Sequence, residues 1–239
     1  MRPVVTVPCF NEASRLRPEG FTPLHAGADV LFVDDGSTDA TGEILAALAG
    51  EHAHVLRLPQ NGGKAEAVRR GLLHSIERGA PIVGYLDADL STSAEEMTRL
   101  VDLLQASGAT AVLGSRVAIL GADIRRSGAR HILGRVFATG ASLVLRLPVY
   151  DTQCGAKAFR VTPALRAALA EPFHSRWAFD VELLGRLIAG QGSAEGIVEE
   201  PLRAWHDVGG STLRWHGMVR TGLELGRVAV ALSRFRRAT

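Results

Sequence analysis

Five short apolar runs fix most of what this chain can fold into: PVVTVP, ADVLFVDD, HVLRLP, PIVGYLD and ATAVLGSR. Each is too short for a helix of ordinary length. Most, ADVLFVDD above all, are apolar at successive rather than alternate positions, as strands buried on both faces are. Segments with helical spacing lie between them: TGEILAALAG, KAEAVRRGLLHSIERG and SAEEMTRLVDLLQASG. The last opens with a serine cap and acids in its first turn, and stops at Gly108. The alternation predicts an α/β fold, with a mostly parallel central sheet and helices on both faces. In such sheets ligands bind outside the carboxyl ends of the strands. Asp34 and Asp35 close one run there, and Asp87 and Asp89 another.

The second half is built differently. Residues 116–147 carry Arg116, Arg125, Arg126, Arg130, Arg135 and Arg146 against a single acid, Asp123. DTQCGAKAFR follows as a turn and strand, AFDVELLGRLIAG as a helix, and GIVEEPLRAW as a late strand. The tail is a basic amphipathic helix in which Arg220, Arg227 and Arg234 recur, and Met218, Leu225, Val228 and Leu232 supply apolar surface. Such a helix can lie on an anionic membrane, or pack on the core or a second subunit. With no repeat and no linker, the pattern predicts one domain over 1–212 and a C-terminal helix over 213–239.

Few function classes are excluded by composition. No apolar run reaches the roughly eighteen residues that a membrane span needs. The start, MRPVVTVPCFNE, lacks the features of a signal peptide. Cys9 and Cys154 have no metal-like spacing, the histidines form no ligand pattern, and a reduced cytoplasmic protein is expected. The net charge of +2 is too small to mark a partner, and no nucleic acid is expected.

The candidate chemistry sits at the strand ends. Two carboxylates one residue apart, Asp87 and Asp89, suit Mg²⁺ or Mn²⁺, which take oxygen ligands and are commonly shared with a substrate's phosphates. Taken alone, the pair equally fits a glycosidase, with one acid and one nucleophile or base. VDDGSTD ends at a helix start, where Ser37, Thr38 or Asp39 can cap. NGGKAEA puts two glycines and Lys64 directly before a helix, which suits a close backbone approach and a cation for phosphate. Trp205 is placed either to stack on a sugar or to pack in the core.

VPCFNE, VDDGSTD, NGGKAEAVRRGL and GYLDADLS, in this order, resemble the inverting GT-A glycosyltransferases of family 2. LGSR, DTQCGAKAFR, WAFDVELL and EEPLRAWHDVGGSTL are similar to the dolichyl-phosphate β-glucosyltransferases and bacterial polyprenyl-phosphate glycosyltransferases. The resemblance runs from residue 3 to about residue 215. It implies a nucleoside-diphosphate sugar donor, a divalent metal, and transfer with inversion to a polyprenyl phosphate at the cytoplasmic membrane face, glucose being favoured over mannose.

Carried over by motif, Pro8, Phe10, Glu12 and Asp35 line the nucleoside pocket. Asp87 approaches the ribose or the metal, and Asp89 holds the metal. Lys64 and Arg116 lie near donor or acceptor phosphates, with Arg130 and Arg214 further candidates for the acceptor phosphate. Asp180 stands where the family has an acceptor-side acid, and Asp151 opens a motif shaping the sugar and acceptor pocket. Two positions depart from the pattern: Thr212 replaces a lysine, and Ala156 a bulky aromatic whose loss would enlarge that pocket. These departures motivate a rival reading, the same chemistry on a soluble small-molecule acceptor. A non-catalytic nucleotide-sugar-binding subunit is a third.

Overall fold

The computed structural model describes residues 1–125, 128–206 and 216–238, and the side chains of these outside 125–133, 216–223 and 236–238. The first half follows the sequence pattern: β1 (Val4–Cys9), a 3₁₀ segment (Pro18–Ala26), β2 (Asp29–Asp34), α1 (Thr41–Leu48), β3 (Ala53–Arg57), α2 (Lys64–Glu77), β4 (Ile82–Leu86), α3 (Ala94–Ala106) and β5 (Ala111–Ser115). Then come β6 (Asp123–Arg125), α4 (Gly128–Leu145), β7 (Ala156–Arg160), α5 (Pro163–Ala170), α6 (Phe179–Gln191), β8 (Ile197–Pro201), β9 (Ala204–His206) and α7 (His216–Ala238).

The main sheet runs β3-β2-β1-β4-β7-β5-β8. It is parallel except at β7, which lies antiparallel between β4 and β5. Strand β4 shows why its run is continuously apolar: Ile82 and Leu86 enter the core under α3, while Val83 and Tyr85 enter the core under α2 and α6. Period-2 alternation delivers side chains to both faces, and both faces are covered. Helix α2 sits close to the sheet through Gly71, where a Cβ would stand 2.3 Å from Thr6 Cγ2. Ser93 caps α3, its hydroxyl accepting from the Glu96 amide at 3.3 Å.

One expectation changes, and one choice left open by the sequence is narrowed. The late strand predicted over GIVEEPLRAW breaks at Leu202 and Arg203: β8 stays in the main sheet, and β9 pairs with β6 in a two-stranded sheet. The C-terminal helix does not offer its apolar stripe to solvent. Leu225, Val228 and Leu232 are buried in the same core as α6. Gly185 of α6 makes room for Leu232, because a Cβ there would lie 2.3 Å from its Cδ1. Core packing, one of the placements the sequence left open, thus holds for these three residues; the side chain of Met218 lies outside those described. No helix among the described residues is long and apolar enough to cross a membrane.

Candidate active site

The carboxyl ends of β1, β2 and β4 open into a cavity of about 400 Å³. Pro8, Phe10, Glu12 and Asp35 line it, as do Lys64, Asp87 and Asp89. The loops bearing these residues are stitched together: the Glu12 amide donates to Thr41 Oγ1 at 2.7 Å, and the Thr38 amide to Asn11 Oδ1 at 2.9 Å. Of the three candidate caps, Asp39 reaches the start of α1, its Oδ1 accepting from the Thr41 amide at 2.9 Å. Ser37 instead accepts from the Asn11 amide at 3.1 Å.

Asp35 accepts from the amides of Gly62 at 2.9 Å and Gly63 at 2.7 Å. Burial pushes its pKa up, against the pull of those two amides. The glycine amides, expected to face a phosphate, are thus engaged by a carboxylate that orients the entry into α2. Gly63 holds φ of +86°, a conformation that L side chains rarely adopt.

The carboxylate pair leaves β4 just after its last residue. The Asp87 amide donates to Gly155 O at 3.0 Å, and Lys64 Nζ lies 2.6 Å from Asp87 Oδ1. Burial opposes the charged Lys64 ammonium, but Asp87, Asp180 and Asp89 outweigh it and raise its pKa. Asp89 Oδ1 accepts from the Ser91 amide at 2.9 Å. Among the described residues no group of three or more His, Cys, Asp or Glu side chains is arranged to hold a metal. The donor set still fits a hard cation, since Mg²⁺ or Mn²⁺ completes its shell with water and substrate phosphates.

Arg15 belongs to this cavity and was not singled out from the sequence. Its guanidinium pairs with Glu12, and that bond, with the charges of Asp89 and Asp87, raises its pKa. The only signal was an arginine three residues after an acid.

The turn 151–155 gathers the remaining candidates. Asp151 receives Arg116 in a forked pair, Nε at 2.6 Å and Nη2 at 2.8 Å, and the Arg116 amide at 3.0 Å. Burial works against the Asp151 carboxylate, but Arg116 overrides it and holds the pKa down at about 2. The Arg116 guanidinium also lies 5.4 Å over the Trp205 ring, so that tryptophan packs on an arginine.

Asp180 stands in the first turn of α6, buried, and does not line the cavity. Its Oδ1 accepts from Tyr85 Oη and from Lys157 Nζ at 2.8 Å, and its Oδ2 from Gln153 Nε2 at 3.5 Å. Lys157, fully buried on β7, escaped the sequence reading because AKAFR looks like an ordinary strand. Ala156 does not line this cavity: it is fully buried in the core that also holds Cys154, Leu202 and Leu86. Arg214 and Thr212 fall outside the described residues, as does the side chain of Arg130.

A mostly parallel sheet with helices on both faces, opening on a carboxylate pair at its strand ends, is the GT-A architecture of glycosyltransferases. A solved structure titled "Crystal Structure of a Mycobacterial Protein" shares this fold, with a TM-score of 0.71 at 19% identity over 97% of this chain and 74% of that one. The profile described as "Glycosyl transferase family 2" matches residues 4–165, and the chain belongs to that family. It is 31% identical over 242 residues to a dolichyl-phosphate β-glucosyltransferase, ALG5C, of Trichomonas vaginalis, covering 94% of this chain and 69% of the relative. It is also 31% identical over 201 residues to the dolichyl-phosphate β-glucosyltransferase of Dictyostelium discoideum, covering 75% of this chain and 60% of that protein's length.

Proposed function

We propose that the protein transfers a hexose, glucose in the first instance, from a nucleoside-diphosphate sugar to a polyprenyl phosphate, with inversion. The observation that carries this reading is the shared cavity: seven residues singled out from four separated motifs line it together. Its volume of about 400 Å³ lies in the range of small-molecule sites. The similarity to proteins named for dolichyl-phosphate glucosylation supports the acceptor class.

Asp87 and Asp89 would hold Mg²⁺ or Mn²⁺, which supplies positive charge to a diphosphate leaving group. Phe10 and Asp35 receive the nucleoside, and Lys64 places an ammonium beside the diphosphate. Transfer is a single displacement. An acceptor phosphate oxygen forms the bond to the anomeric carbon while the bond to the diphosphate oxygen breaks, so the configuration inverts. Preorganised positive charge lowers that barrier because charge builds on the departing oxygen.

The arrangement of Asp180 favours a phosphate acceptor over a sugar hydroxyl. A hydroxyl needs a general base, and both oxygens of this buried carboxylate already accept from internal donors. A phosphate monoester, with a second pKa of about 6, needs none. We assign Asp180 and Asp151 to positioning, and Arg116 to the acceptor side through its pairing with Asp151. Contact with a membrane surface falls to other parts of the molecule than the buried stripe of α7; exposed Val136 and Leu143 on α4 are candidates.

The test is a donor and acceptor screen read by mass spectrometry. The purified protein, with Mn²⁺ or Mg²⁺, is offered UDP-glucose, GDP-mannose or UDP-GlcNAc, with and without a short polyprenyl phosphate. A new glycosyl-phosphoprenyl mass with UDP-glucose is expected. Products formed only on water-soluble acceptors would overturn the acceptor assignment. No nucleotide release from any donor would overturn glycosyl transfer itself.

A further inference from the structure

We infer that Lys64 is the internal counter-ion of Asp87 in the nucleotide-free protein, so that a divalent cation enters the site only together with a diphosphate. The inference rests on the cavity being a nucleotide-sugar site and deepens that reading. Four observations lead to it.

The Lys64 ammonium lies 2.6 Å from Asp87 Oδ1. Among the described residues no hydrogen bond from any other group reaches that oxygen, so the Lys64 ammonium is its compensation. The carboxylate is hemmed in on one side. Its back rests on Gly155, where a Cβ would stand 2.2 Å from Oδ2, and its main chain is tied to Gly155 O at 3.0 Å. Among the described residues no third acidic, His or Cys ligand stands ready to build a cation site.

A divalent ion approaching Asp87 alone meets a positive charge already seated on one of its two carboxylate oxygens. It also finds too few protein oxygens to replace its water. A diphosphate removes both obstacles. Its oxygens complete the cation's shell and offer the ammonium a second anionic partner. Lys64 is suited to the exchange. It is the first residue of α2, its side chain is 41% exposed, and a flexible four-carbon stem moves Nζ without moving the backbone. Among the described residues lining the cavity the other cation is Arg15, and it is committed to Glu12 in a forked pair. Lys64 is therefore the group that changes partner.

The experiment measures Mn²⁺ binding by electron paramagnetic resonance, without nucleotide and with UDP or GDP, for the wild type, Lys64→Met and Lys64→Arg. Circular dichroism confirms that each variant is folded. In the wild type a nucleotide diphosphate is expected to tighten Mn²⁺ binding by about 100-fold, near the upper end of ordinary coupling between two ligands. Lys64→Met should bind Mn²⁺ alone about tenfold more tightly, and its gain from nucleotide should shrink by about the same factor. Lys64→Arg should follow the wild type. If Lys64 were only a nearby charge that does not change partner, its loss in Lys64→Met would tighten Mn²⁺ binding equally with and without nucleotide. That outcome, or unchanged affinity in Lys64→Met, overturns the inference and leaves the cation site standing. Failure of the wild type to bind Mn²⁺ even with UDP or GDP overturns the cation-diphosphate reading, and the inference with it.

Discussion

The carboxylate of Asp87 lies directly on the backbone of Gly155: a Cβ at residue 155 would stand 2.2 Å from Oδ2 and 2.3 Å from Cγ. The contact joins the end of β4 to a turn nearly seventy residues later in the chain. Gly155→Ala should push Asp87 aside. A displacement of reacting groups by about 1 Å costs on the order of 100-fold in rate, so kcat/KM should fall by about that factor. Steady-state kinetics beside a thermal melt checks this. Undiminished turnover would show that the contact does not govern the carboxylate.

Asp89 is partly exposed, and its described hydrogen bond is the short-range one from the Ser91 amide. Asp89→Ala should leave the melting temperature nearly unchanged. Transfer should fall by about 100-fold or more, the scale for losing an electrostatic group aimed at developing charge. Product formation at saturating donor is the measurement, and full activity would end the cation assignment.

The Asp151–Arg116 pair has a pH signature. The Asp151 pKa falls from 3.8 to about 2 on folding. A depressed carboxylate pKa stabilises the fold above the unfolded value, and that contribution is lost as pH falls through the folded value. The pair should contribute about 2 kcal/mol near neutrality, fading between about pH 4 and pH 2. Asp151→Asn should remove this part of the acid dependence in urea titrations run at several pH values.

Lys157 and Asp180 form a buried pair at 2.8 Å, the lysine fully inaccessible. Removing one partner strands a charge, and Lys157→Met should cost about 3–5 kcal/mol. The double variant Lys157→Met with Asp180→Asn removes both charges and should recover part of that loss. Chemical denaturation of the two variants and the wild type measures the coupling.

Ala156 offers a contrasting case. It lies in the core beside Leu86, and the Gly114 backbone approaches its carbonyl. Ala156→Phe should overpack the core and cost about 1–3 kcal/mol. The donor KM should stay unchanged in the fraction that folds, because this side chain does not line the cavity at the strand ends.

The strand-helix alternation made the first half legible, because a run buried on both faces has few other readings. The cavity residues were legible because they sit at strand ends, where backbone direction fixes where they point. The insertion of β7 between β4 and β5 was not. Pairing partners far apart in sequence leave no local pattern, and AKAFR carries no mark of its antiparallel sense. Lys157 was hidden for the same reason: a buried lysine looks like a solvated one until Asp180 and the Cys154 carbonyl are brought to it. The stripe Leu225, Val228 and Leu232 declared an amphipathic helix but not its partner, since lipid and the α6 face present the same chemistry to an apolar side chain.

The antiparallel strand β7 also bears on the birth of the protein. A chain grows from its N-terminus, and domains form as their segments emerge. When residue 100 has been made, β1, β2, β3 and β4 are present, yet the flank of β4 that β7 will occupy is an open edge, a template for stray pairing. The prop behind Asp87 does not exist until residue 155 has been made. Half-made chains therefore carry most of the cavity's lining with the Asp87 carboxylate unpropped, and closing the β4 edge and setting that carboxylate become one late event in synthesis.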